Sequence, residues 1–110
     1  MSRPRYRRYF RHGFLPQLIA FEACLRLGSV TRAAEELSLA QPTVSGLLRK
    51  LSETVGSPVM QARYGRMEPT EAGRGLESLC TEMFEAIDRF DEARDPRPAG
   101  RVPEAASAVQ

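Results

Sequence analysis

The chain has 110 residues, with 16 Lys/Arg against 14 Asp/Glu: enough for one small domain with a tail, and little core to spare. No run approaches the ~18 apolar residues of a membrane span. Cys24 and Cys80 both fall in apolar helical patterns, which favours buried reduced thiols over a structural disulfide. The charges are unevenly placed: residues 1–67 hold 11 basic and 4 acidic side chains, residues 68–110 hold 5 and 10. Such asymmetry points to a polyanionic partner for the first part, the alternative being two solvated surfaces of opposite sign.

Residues 1–13, MSRPRYRRYFRHG, carry five arginines, three aromatics and no acid; they read as a flexible basic arm without the apolar stretch of a secretory signal. A helix is expected from about Pro16 to Leu27, because Phe14, Leu18, Phe21 and Leu25 share a face and proline suits a first turn. Gly28-Ser29 ends it. A short helix from about Thr31 to Leu37 buries Val30, Ala33, Ala34 and Leu37, with Ser29 or Thr31 as its cap. After Ser38-Leu39-Ala40, a third helix starts at Gln41 or Pro42 and runs to about Val55. Val44, Leu48, Leu51 and Val55 form its apolar face. The opposite face carries Gln41, Ser45, Gly46 and Arg49, short groups with an arginine one turn on.

Gly56-Ser57-Pro58 breaks that helix. Val59-Met60-Gln61 and Arg66-Met67-Glu68 are expected to pair as a small hairpin around Tyr64-Gly65. Thr70 is a good N-cap, with Glu71 well placed in the first turn, and the pattern then stays helical to about Arg94. Leu76, Cys80, Met83, Ile87 and Phe90 repeat at 4-3-4-3, the spacing of a coiled-coil seam, which Leu79 and Phe84 widen. Asp95-Pro96 stops the helix. Residues 95–110, rich in Pro, Ala and Gly, lack an apolar period and are expected to be disordered. The expected organisation is an arm (1–13), a compact unit (14–69), a linker helix (70–94) and a tail (95–110).

Two short helices joined by a tight turn, the second with a packed back and a polar front, describe a helix-turn-helix. A helix that enters the DNA major groove needs short polar residues near its N-terminus. Its free N–H groups favour a nearby phosphate, and a first-turn proline removes no hydrogen bond. Enzyme chemistry is poorly served. His12 is the sole histidine, and there is no cysteine cluster, metal-ligand spacing or glycine-rich phosphate loop, so no cofactor or metal is expected.

The stretch F-x-A-x-x-x-x-G-S-V-T-R-A-A-E-E-L-x-x-x-Q-P-T-V-S, followed by L-R-K-L, G-x-P and T-E-A-G, resembles the DNA-binding domain of LysR-type transcriptional regulators. The likeness runs without a gap from about Leu15 to Arg94, through Phe21, Gly28-Ser29, Ala33-Ala34, Leu37, Gln41-Pro42, Ser45, Leu51, Gly56, Pro58 and Thr70-Glu71-Ala72-Gly73. It implies a mainly α fold: a winged helix-turn-helix with a three-helix core and a small β wing, followed by a long linker helix that dimerises. It further implies a bacterial cytoplasmic, nucleoid-associated regulator that binds an inverted-repeat operator in double-stranded DNA as a homodimer. By position, Thr31 and Arg32 touch phosphates; Gln41, Pro42, Thr43, Ser45 and Arg49, with Gly46 on the same face, meet base edges and phosphates. Arg63 and Arg66 are the wing's candidates, and Leu76, Leu79, Cys80, Met83, Ile87 and Phe90 form the dimer seam.

The chain departs from the family pattern in four ways. Ala40 replaces the usual serine, losing a cap worth about 1 kcal/mol. Gly46 stands where arginine is common, at a cost of about 1 kcal/mol relative to alanine in a helix interior. Ala62 replaces the usual wing arginine, with Arg63 beside it. The family's effector-binding domain is absent from these residues, and with it the usual reason to expect a small-molecule inducer. Several alternatives stay open: Arg49 pairing with Glu53 rather than DNA, an arm that makes no contact, a linker helix packed on its own domain, and a redox-sensitive bridge at Cys80. The alternative function is an interaction module that forms mixed dimers with a full-length relative.

Overall fold

The computed structural model describes residues 13–94; the expected arm, apart from Gly13, and the expected tail lie outside the described residues. Helix α1 spans Phe14–Leu27, α2 Val30–Leu37 and α3 Gln41–Val55; strands β1 (Met60–Arg63) and β2 (Arg66–Pro69) follow, then helix α4, Glu71–Arg94. The described residues are mainly helical with one small antiparallel sheet, a winged helix-turn-helix followed by a long helix.

Helix α1 starts two residues earlier than expected, directly after Gly13 in the left-handed region. Pro16 still sits within the first turn, where its missing N–H is not needed. Between the two cap candidates for α2 the geometry selects Ser29. Its backbone is extended, and its hydroxyl accepts the Arg32 N–H at 3.0 Å. The helix therefore begins at Val30, and Thr31 lies inside it. Ala40 gives α3 no side-chain cap; only its carbonyl serves, accepting from Thr43 and Val44 N–H groups at 2.9 and 3.2 Å.

The core has two parts that meet on α1. Leu18 and Phe21 from one side of α1 pack with Leu51, Val59, Leu76 and Cys80. From the other side, Ala20, Ala23 and Cys24 pack with Ala33, Ala34 and Val44. The small residues pack against α2 and Val44 of α3, while the large ones pack against Leu51 of α3, Val59 and α4. Across the exposed edge of this pair, Arg26 Nε donates to Glu22 at 2.9 Å and its Nη1 to Glu36 at 3.1 Å. The Arg26 hydrogen bond holds the Glu36 carboxyl below its ordinary range. Solvent screens this clip, so it orients α2 more than it stabilises the fold.

The hairpin pairs Met60 with Pro69, Gln61 with Glu68, Ala62 with Met67 and Arg63 with Arg66. Strand β1 runs two residues beyond its expected end, to Arg63, and β2 one, to Pro69, while Val59 is not in the sheet and is buried at 1% exposure. Thr70 joins the wing to α4. Its hydroxyl donates to the Pro58 carbonyl at 2.7 Å and accepts the Gly73 N–H at 3.1 Å, while its own N–H reaches the Val59 carbonyl at 3.1 Å. Gly73 permits this closeness. A Cβ there would fall on the Val59 carbonyl oxygen, 3.1 Å from its carbon and 3.2 Å from Pro69 Cβ.

The expected seam divides along α4. Leu76 and Cys80 lie in the chain's own core, covered before any partner arrives, and Leu79, Met83 and Phe84 are half-buried against that core. Ile87 and Phe90 are exposed. The Cys80 thiol donates to the Leu18 carbonyl at 3.7 Å. Burial raises it to about 11, with Glu22 and Glu77 adding to the shift, and burial alone raises Cys24 to about 11. Both free thiols are buried, and burial disfavours the reactive thiolate. Among the described residues no helix is long and apolar enough to cross a membrane.

Gly73→Ala is expected to lower the unfolding free energy by about 1–3 kcal/mol or more. Gly75→Ala, in the same helix but with nothing within 4 Å of its added Cβ, is expected to be neutral or stabilising by up to ~1 kcal/mol. Urea unfolding of the two variants separates the steric claim from a general effect of glycine removal.

Candidate nucleic-acid interface

Helix α3 is seated from behind. Val44 and Leu51 are fully buried on its apolar face, with Leu48 and Val55 half-buried beside them. This seating turns Gln41, Pro42, Thr43, Ser45 and Arg49 into solvent, all exposed, with Gly46 half-buried among them. The front of α3 is therefore polar because its back is committed to the core, not because any residue on it is itself fixed by packing.

Contacts join this front to two neighbouring elements. The Thr31 hydroxyl, in the first turn of α2, donates to Gln41 Oε1 at 3.2 Å. That bond ties the starts of α2 and α3 together and aims Gln41 by way of Thr31. On the other side, Met67 N–H donates to the Gly28 carbonyl at 3.1 Å, and the Arg66 side chain lies flat on Gly28. A Cβ on that glycine, which has φ 70°, would come within 2.9 Å of Arg66 Cγ. Strand β2 is thereby fastened to the turn before α2. Arg32, Arg49, Arg63 and Arg66 are all exposed, so the region formed by α2, α3 and the wing is basic as well as polar. In the first turn of α2, the leading N–H groups lack intrahelical acceptors, and with the helix dipole they favour an anion.

The surroundings of two arginines bear on the alternatives left open. Arg49 makes no ion pair with Glu53; among the described residues the ion pairs are those of Arg26. Its guanidinium instead leans over Gly46, 3.7 Å from where a Cβ would sit. Arg66, the second wing candidate, lies with its guanidinium and Cγ against Gly28. Tyr64, expected only as a turn residue, sits in a two-residue Tyr-Gly turn that already requires left-handed backbone at the tyrosine. No cluster of three His, Cys, Asp or Glu suited to a metal occurs among the described residues.

A helix-turn-helix with a polar, basic front and a docked wing defines a DNA-binding domain of the winged type. Residues 15–74 match the profile of the bacterial regulatory helix-turn-helix proteins of the lysR family, and the chain belongs to that family. Among curated relatives, a RuBisCO operon transcriptional regulator of Allochromatium vinosum is 46% identical over 81 residues, covering 74% of this chain and 27% of that protein. One of the same description from Acidithiobacillus ferrooxidans is 38% identical over 82 residues, with 74% and 26% covered. The crystal structure of a BenM DNA-binding domain/catB site 1 DNA complex is similar in fold, with a TM-score of 0.69 at 23% identity over 80% of this chain and 98% of that one. The chain spans about a quarter of the length of these curated relatives. It carries the DNA-binding domain of a transcriptional regulator, and the relatives are regulators rather than enzymes.

Gly46 has an ordinary helical φ, and its surroundings leave ordinary contact distance for a methyl group. Gly46→Ala is accordingly expected to raise the unfolding free energy by about 0.5–1 kcal/mol. A thermal melt in the absence of DNA checks this, and no gain would mean that the helix itself requires the glycine.

Proposed function

We propose that this chain binds an inverted-repeat operator as a homodimer in the bacterial cytoplasm, on the nucleoid, and regulates transcription there. The observation that carries the reading is the junction of Thr31 with Gln41, which presents two helix N-termini and a row of short polar side chains on one basic surface. In this reading Gln41, Thr43 and Ser45 face base edges in the major groove, with Pro42 and Gly46 allowing close approach. Thr31, Arg32 and Arg49 take phosphates, and Arg63 and Arg66 serve from the wing. The BenM domain and this chain share a fold, and that domain's structure contains DNA, which supports the same use here.

Dimerisation is supported by Ile87 and Phe90, which are 40% and 61% exposed on the last turns of α4. The same apolar strip, with half-buried Met83 and Leu79 beside it, would accept the equivalent helix of a second copy. It would also accept that of a longer relative, which is the route to mixed dimers.

Selection from a random duplex pool is expected to enrich an inverted repeat bound tightly at physiological salt. On that site Gln41→Ala should relax preference at one base position by about 1–3 kcal/mol. Arg32→Ala should weaken all sequences alike and lower the salt slope by about one unit. Gly46→Arg should tighten binding. Failure to enrich any sequence would overturn the reading.

Sedimentation is expected to show a dimer, and Phe90→Ser to shift it toward monomer without lowering the melting temperature of the domain. A wild-type monomer at high micromolar concentration would overturn the homodimer. Co-purification with a longer relative would then identify the mixed dimer.

A further inference from the structure

The tip of the wing carries a residue that neither turn chemistry nor packing explains. Tyr64 is 95% exposed, yet its φ is 52°, in the left-handed region where a bulky side chain is strained. With Gly65 at φ 74° it makes a two-residue hairpin turn between Arg63 and Arg66. Positive φ at both positions is the type I′ geometry, whose first position favours Asn, Asp or Gly. Asparagine would relieve the backbone, and the exposed ring leaves no core contact to lose. What the ring does meet is the Arg63 guanidinium, 5.8 Å from its centroid and within cation–π range. The tip thus holds an aromatic plane and a cation together in water.

That pairing has a chemical counterpart. The DNA minor groove offers apolar deoxyribose walls set between rows of phosphates, so a ring and a guanidinium side by side match both features. The wing is placed to bring them there. Its second strand is fastened at Gly28, immediately before Ser29 and the first turn of α2, through Met67 N–H and the Arg66 side chain. We propose that Tyr64 is a DNA-contacting, specificity-determining residue: its ring lies against the sugar and base edges of the minor groove that flanks the major-groove site, while Arg63 meets the adjacent phosphates. The proposal rests on the DNA-binding reading given above.

The test titrates the selected operator, and versions with altered flanking base pairs, with the full chain and three variants at several salt concentrations. Tyr64→Asn is expected to melt at or above the wild-type temperature. It should bind about five- to tenfold more weakly, lose discrimination among flanks and leave the salt slope unchanged, since the lost contact is uncharged. Tyr64→Phe should bind as the wild type does. Arg63→Ala should weaken binding and lower the salt slope by about one unit. A Tyr64→Asn protein with wild-type affinity and flank preference overturns the assignment even where the wild type binds DNA. A wild type that binds no duplex overturns the DNA reading, and this proposal with it.

Discussion

The wing and the long helix depend on one close approach of backbone to backbone, that of Gly73 to the Val59 carbonyl. Thr70 closes the joint with three hydrogen bonds, two to residues 58 and 59 before the hairpin and one to Gly73 after it. The hairpin is therefore pinched shut at its base, and the start of α4 is held by the same atoms that hold the wing. Beneath the joint, Val59 and Leu76 share a cluster with Leu51 of α3. The orientation of the polar front of α3, the pose of the wing and the direction of α4 are consequently one mechanical feature. The T-E-A-G stretch is best understood in these terms: threonine for its two-way hydroxyl, and glycine for the absence of a side chain.

Helix α4 changes role along its length while its sequence pattern does not. The 4-3-4-3 stripe from Leu76 to Phe90 reads the same whether the surface opposite is the chain's own core or a partner helix, because periodicity reports a buried face and not what buries it. The three-helix unit supplies cover for Leu76 and Cys80 and partial cover as far as Met83 and Phe84, then ends. Ile87 and Phe90 continue the stripe into solvent. Helix α1 hides the complementary ambiguity. It contacts both clusters, so its alanine face looked less apolar than it is buried, and the Phe14, Leu18, Phe21, Leu25 stripe was only half of its packing.

Much of the fold was legible because strong punctuation coincided with clear periodicity. Gly28-Ser29, Gly56-Ser57-Pro58 and Thr70 each mark a boundary for a local chemical reason, and the elements between them lie within a residue or two of expectation. The remainder required contacts distant in sequence. Ser29 and Thr31 are equivalent as caps on paper; the bond from Thr31 to Gln41, ten residues on, shows why Thr31 serves elsewhere. Arg66 and Arg63 likewise look alike in a hairpin. Only the position of Gly28 under Arg66 separates a side chain laid along the backbone from one left beside an exposed ring.

Three of the places where this chain breaks local rules lie on α3 and the wing. Ala40 leaves α3 without a side-chain cap, a loss of about 1 kcal/mol. Gly46 weakens the same helix by about 1 kcal/mol relative to alanine, and Tyr64 holds left-handed backbone at a cost of roughly 1–2 kcal/mol. Against a total stability of about 5–15 kcal/mol for a domain of ordinary marginality, the sum is substantial. None of the three sites is constrained by the core: a methyl at Gly46 meets only the Arg49 side chain, at ordinary contact distance, and Ala40 and Tyr64 are exposed. The core-facing positions Val44 and Leu51 of α3, and Val59 just before the wing, are fully buried or nearly so. A surface shaped by folding alone would carry serine, alanine and asparagine at those three points. All three lie at the start or front of α3 or on the wing, the surface proposed above to meet DNA.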